Sequence, residues 1–162
     1  MSPEQITITR FYNAFAALDP DTMATCYAPN VSFKDEAFQL QGREQVMGMW
    51  SMLCEVTRSK GMDVWRLEFT DVQGDKGRGS AHWEAHYRFS STRRLVHNKI
   101  DAEFEFDDNG LICRHTDHFN FWRWSQQALG APGYLLGWSG LLRKKVQERA
   151  KASLQQYLKR GR

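Results

Sequence analysis

Cysteine is scarce in this chain of 162 residues. Cys26, Cys54 and Cys113 lie far apart with no C-x-x-C spacing, so neither a disulfide framework nor a zinc ribbon is indicated, and the thiols read as reduced. No stretch approaches the ~18 unbroken apolar residues of a membrane span. Residues 1–10 lack the basic start and apolar run of a secretory leader, and a cytoplasmic protein without a membrane span is expected. A glycine-rich phosphate loop, a G-x-S-x-G elbow and a dinucleotide fingerprint are all missing. Nucleotide cofactors and serine-hydrolase chemistry therefore have no support, and no cofactor is expected. Disorder and low complexity are excluded by what is present: 41% hydrophobic residues, with 10 Phe, 6 Trp and 5 Tyr. That composition and length suit one globular domain with a bulky aromatic interior.

The formal charge of +3 is unevenly spread. Residues 143–162 hold eight Lys or Arg against one acid, leaving −4 on residues 1–142. Basicity thus belongs to the tail, the body interleaves no cations with aromatics along one face, and no nucleic-acid partner is expected.

Ser2, Pro3 and Gln5 read as the N-cap, first-turn proline and N3 residue of a helix with the apolar stripe Ile8, Phe11, Phe15 and Leu18. Asp19-Pro20 repeats the signal for a short second helix through Met23 and Tyr27, which Pro29 ends. Val31, Phe33 and Asp35 then alternate. A third helix runs from Gly42 to about Lys60, with Val46, Met49, Trp50 and Leu53 on one side. Beyond Gly61 the period becomes two: Trp65, Leu67, Phe69; then Ala81, Trp83, Ala85, Tyr87, Phe89; then Val96, Ile100, Phe104, Phe106. The turn at 107–110 leads into a fourth long strand expected to span 111–124, and the short gaps imply an antiparallel meander. Glycines and Pro132 interrupt 125–140, where Trp122, Trp124, Tyr134 and Trp138 are read as packing at the body's open end, as a lid, or across a dimer contact. Ser139 caps a last helix whose stripe Leu142, Val146, Ala150, Leu154 and Leu158 is expected to dock on the body. The fold class is α+β, helices covering one face of a curled sheet, with a hollow that either admits a small apolar molecule or is filled by side chains.

The order of these elements, FYNAFAALDPDTMATCYAPNVSFKDE at 11–36 and DDNGLICRHTDHFNFW at 107–122 resemble the nuclear transport factor 2-like superfamily, over roughly residues 5–124. The resemblance implies a cone-shaped, strongly curved antiparallel sheet in a domain at 1–124, with 125–162 as a C-terminal extension packed on the body or on a partner. It also implies a homodimer through the sheet. The superfamily includes ketosteroid isomerases, SnoaL-type polyketide cyclases, limonene epoxide hydrolases, scytalone dehydratases and proteins that only bind partners, so the fold does not select among them.

Residue by residue, Asp35 falls where the isomerases keep a general base, against the plainer reading of a charged loop end. Phe11 stands where they have an oxyanion-hole tyrosine, and Tyr12 is about 100° away around the helix. Asp101 resembles their second acid, although counting from Gly110 puts Ala102 there. Asp117 falls where cyclases and epoxide hydrolases carry a catalytic acid or base, with His115 and Phe119 on the same strand face. The alternative is a structural carboxylate paired with His or Arg. Lys99 and Asp101 imitate the cation and second acid of the epoxide hydrolases. The catalytic candidates are therefore Asp117, Asp35 and His115. Phe15, Tyr27, Trp50, Trp65, Phe119, Asp101 and Lys99 are the ligand-binding candidates. No metal site is expected: His82 and His86, four apart on a strand, sit about 13 Å from each other. The leading expectation is an acid/base protein acting on an apolar cyclic or polyketide-like compound, and the competing one a non-catalytic binding or dimerisation module.

Overall fold

Ser2 opens the first helix as a capping box: its hydroxyl accepts from the Gln5 amide at 3.1 Å, and the Gln5 side chain accepts from the Ser2 amide at 2.8 Å. The computed structural model describes residues 1–137 and 139–161, so Trp138 and Arg162 lie outside the described residues. Six helices and six strands follow in the order α1 (Pro3–Ala16), α2 (Pro20–Ala24), β1 (Tyr27–Lys34), β2 (Gln39–Gln41), α3 (Arg43–Lys60), β3 (Arg66–Asp75), β4 (Arg78–Arg88), β5 (Leu95–Phe106), β6 (Ile112–His118), α4 (Phe121–Leu129), α5 (Ala131–Leu136) and α6 (Gly140–Arg160). The architecture is α+β, a curved and unclosed six-stranded sheet with helices at both ends. Strand order is β2-β1-β6-β5-β4-β3.

Every neighbouring pair is antiparallel except β1 with β6, which run parallel. The antiparallel meander expected from the short gaps beyond Gly61 is the run β3 to β6. Tyr27 opens β1 instead of closing α2, and the β1–β6 register is interrupted between Tyr27 and Ser32. Pro29, which has no N–H to give a ladder, sits in that interruption. The last strand also ends sooner than its alternation suggested. Asn120 accepts from the Arg123 amide at 3.0 Å and starts α4, whose buried Phe121, Trp124, Ser125 and Ala128 follow helical spacing.

Alternation along β4 and β5 decides what faces inward. Ala81 pairs with Ala102, Trp83 with Ile100 and Ala85 with Asn98, all buried, while the intervening pairs His82–Asp101, Glu84–Lys99 and His86–His97 face out. Helix α1 lies close on the β3–β4 hairpin because Gly74 and Gly79 have no side chain. A Cβ on either would come within 2.6 Å of Glu4 or Ile8. On the other side of the molecule α6 packs against α3, where Leu158 and Leu154 approach Gly48 and Leu154 is buried. Burying a leucine contributes about 1.5–3 kcal/mol. Val146 joins a second apolar cluster formed by Val96, Phe121, Trp124 and Ala128. Among the described residues no helix is long and apolar enough to cross a membrane.

Candidate functional site

Period two on β6 turns His115 and Asp117 inward and Arg114 and His118 outward. His115 is fully buried and Asp117 is 4% exposed. The Asp117 Oδ1 accepts from the His115 Nε2 at 2.9 Å and from the Trp83 Nε1 at 3.4 Å. On its other side His115 Nδ1 meets the Tyr27 hydroxyl at 2.7 Å, and that oxygen accepts from the Trp50 Nε1 at 3.0 Å.

This chain of bonds assigns the tautomer. Burial holds the Tyr27 hydroxyl well above its usual pKa, with Asp117 adding to the effect against the opposing Trp50 bond. The hydroxyl keeps its proton and donates it to Nδ1, so the imidazole proton resides on Nε2 and points at Asp117. Phe104 at 4.4 Å and Phe33 at 5.0 Å between ring centroids, together with Trp50, pack the imidazole in place.

Asp35 follows β1 and folds back on its own loop, where its Oδ1 accepts from the amides of Ala37 and Phe38, both at 2.7 Å. Burial raises its pKa to about 7, against those two amides and with a further push from Asp117. The two carboxyls therefore share one electrostatic environment. Burial likewise pushes Tyr87 up to about 12, with a contribution from Asp35. The Tyr87 oxygen accepts from the Trp124 Nε1 at 2.8 Å, which brings α4 over the same region.

Tyr12 is the residue that helix spacing left aside. Phe11 and Tyr12 are both fully buried, because α1 is enclosed over a wide arc. The Tyr12 ring stacks on Phe69 at 5.5 Å, and its hydroxyl is the buried polar atom left without a partner among the described residues. Burial raises its pKa well above the usual value and Asp117 raises it further. A phenol donor thus lies within the field of Asp117, on the neighbour of the position the sequence pattern pointed to.

The remaining candidates divide by face. Phe15, Tyr27 and Trp50 are in the core, and Trp65 reaches it partway, its ring 5.4 Å from Phe15 and its Nε1 donating to the Ala16 carbonyl at 2.9 Å. Phe119 is half-buried beside Trp124. Lys99 and Asp101 are not brought to Asp117. The register sets Ala102 opposite Asp117, and the irregularity in the β5–β6 ladder falls later, between Glu105 and Phe106. Asp101 instead faces out, its side chain 78% exposed and 2.9 Å from His82.

Rings of Phe11, Tyr12, Phe15, Trp50 and Trp83 pack edge-to-face or tilted through the interior of the cone. Two surface depressions lie elsewhere. One of about 620 Å³ is bordered by Glu4, Lys76, Arg78, Asp107 and Cys113, and one of about 20 Å³ by Thr57, Lys60 and Arg88.

A curved, unclosed six-stranded sheet with helices at both ends makes this a cone-shaped α+β domain. The SnoaL-like domain family model matches residues 8–115, and the chain belongs to that family. Solved structures share the shape at low identity. A Catenulispora acidiphila protein with a ketosteroid isomerase-like fold, in complex with trimethylamine, is 16% identical over 78% of this chain and 94% of its own, with a TM-score of 0.62. A Silicibacter protein provisionally named a polyketide cyclase is 23% identical over 77% and 94%, with a TM-score of 0.60. A protein of cystatin-like fold from Silicibacter pomeroyi is 11% identical over 91% and 84%, with a TM-score of 0.57. No curated protein matches the sequence significantly. At these identities the likeness concerns the fold.

Proposed function

We propose that this SnoaL-like protein binds a small apolar molecule, cyclic or polyketide-like, and moves a proton on it with Asp117 and Asp35. What supports this reading is Asp117 bonded to His115 and Trp83 among aromatic rings, together with Asp35 on the loop after β1, which burial and the nearby Asp117 push to a pKa of about 7. A group titrating there gives and takes protons at neutral pH with equal ease, as general acid/base work requires. Asp117 is the proposed proton donor or acceptor, and Asp35 is its second carrier. His115, already bonded to Asp117, positions it, and Phe15, Tyr27, Trp50, Trp65 and Phe119 form apolar wall. Since aromatic rings fill the cone, entry requires the Tyr87–Trp124 cover to move. Residues 1–124 would then be the working domain and 125–162 an extension packed on it or on a partner.

The filled interior favours a second reading, a non-catalytic binding or dimerisation module. A homodimer through the outer sheet face and residence in the reducing cytoplasm, consistent with three free thiols, belong to both readings. Native mass spectrometry of protein from its own host tests for a retained apolar molecule. With that compound as substrate, Asp117→Asn is expected to lower turnover at least about 100-fold, within the usual range for a lost acid/base group. Unchanged turnover would end the catalytic reading. Light scattering that finds a monomer at high concentration would remove the dimer.

A further inference from the structure

Residues 119–147 contain no Asp or Glu. They form α4, α5 and the start of α6, and they leave large apolar side chains in water: Trp122, Tyr134, Leu136 and Leu141 are 47–64% exposed. Soluble domains usually scatter such residues singly. Here the helices that carry them pack together, α5 against both α4 and α6, and Trp122 lies over Gly137, its Cδ1 2.7 Å from where a Cβ would be. Leu141 shares its helix face with Lys144 and Lys145, three and four residues on. These two lysines make no ion pair among the described residues. Arg94, from the β4–β5 turn, comes to the same end and donates to the Gln127 carbonyl at 2.8 Å, with exposed Arg93 beside it and exposed Arg123 on α4.

The far end of the sheet has the opposite character. Glu4, Glu105, Asp107 and Asp108 border the depression at the β3–β4 and β5–β6 turns. The 12 residues of β5 separate the two ends, by roughly 36 Å at about 3.3 Å per residue. One end is apolar and cationic, and at the other four carboxylates outnumber the two cations Lys76 and Arg78.

We infer that the α4–α6 end is a docking surface for an anionic lipid bilayer. Trp122, Tyr134, Leu136 and Leu141 enter the headgroup layer while Lys144, Lys145 and the neighbouring arginines meet lipid phosphates. The two residue types serve different terms: ring and leucine carbon leaves water, and the cations gain from a negative surface potential. Acid at the far end keeps the molecule oriented. A second copy is a poorer occupant, because a two-fold contact would set this acid-free patch against itself, cation facing cation. The α6 stripe is not the contacting face, since Leu154 and Leu158 are already committed to α3. This docking is independent of the acid/base reading.

Flotation of the full chain with phosphatidylglycerol/phosphatidylcholine vesicles, and with phosphatidylcholine alone, tests the surface. The protein is expected to float with the anionic vesicles only, and to be released at about 1 M salt, where the screening length is ~3 Å. K144E combined with K145E should lower partitioning at least tenfold, and so should Leu136→Ser combined with Leu141→Ser, each variant keeping the wild-type circular dichroism. Equal binding to neutral vesicles, or no binding by the wild-type chain, would overturn the inference without recourse to any variant. A dimer that Leu136→Ser with Leu141→Ser dissociates, in a protein that ignores vesicles, would give the patch to a second copy and overturn it too.

Discussion

The two faces of the sheet carry the same pairing in opposite settings. Inside, His115 Nε2 is 2.9 Å from Asp117, and outside, His82 Nδ1 is 2.9 Å from Asp101. Distance alone does not tell them apart. The inner pair is enclosed by Trp83, Phe104 and the Tyr27–Trp50 chain, so neither partner can turn to water when the other is lost. The outer pair belongs to a solvated net in which Glu84 also takes bonds from His82 and His97 at 2.8 and 2.7 Å. Its carboxylates and imidazoles have water as an alternative partner, which leaves an exposed ion pair a net worth of about 0–1 kcal/mol.

The sharpest way to break that comparison is to delete each carboxylate. Asp117→Ala strands the His115 and Trp83 donors in an apolar interior and is expected to destabilise the fold by roughly 3–4 kcal/mol. Asp101→Ala is expected to cost under ~1 kcal/mol. Urea unfolding compares them, and similar losses would erase the distinction between the faces.

A smaller effect separates the faces by pH. The Asp35 pKa is raised from 3.8 to about 7, so the folded state holds a proton that the unfolded state has released. Stability on this account is greatest near pH 4 and falls as pH rises toward 7. At about 1.36 kcal/mol per unit the full shift would be worth ~4 kcal/mol, and solvent at the rim of the loop reduces the expected loss to about 2 kcal/mol. Asp35→Asn should flatten the midpoint-against-pH curve between 4 and 7. A curve with the same slope in both proteins would show that Asp35 is not the group responsible.

The smallest effect belongs to the outer net. His82 is raised from 6.5 by its bonds to Asp101 and Glu84, so its contribution is complete below pH 6.5 and disappears as pH climbs past its folded value. His82→Gln should remove only a few tenths of a kcal/mol, screened by salt, and only on the acid side of that window. A loss that persisted at pH 9 would point to packing instead of charge.

Several elements were legible before the fold was known because their signals are local. The Ser2–Gln5 capping box, the α3 stripe and the alternation of β4 and β5 need only neighbouring residues. The inward direction of His115 and Asp117 follows from the same period of two. Other features were missed for reasons of scale or competition. Beyond His118 the apolar residues fit a strand as well as a helix, and the Asn120 cap decided the matter. Pro29 has the local signature of a helix stop, which would put Tyr27 at the end of α2, whereas a register interruption in β1 accommodates the proline. Asp101 carried a resemblance that one step of register removed from the interior.

Local periodicity and capping chemistry, both short-range, determined the helices, most of the strands and the burial of one His–Asp pair. Only the assembled sheet could bring Tyr27 to His115 across 88 residues, set Asp117 in the same field as Asp35, and leave Asp101 in water. Strand register and ring packing join residues distant in the chain, and desolvation depends on everything that surrounds a group. Neither is written in the spacing of any single segment.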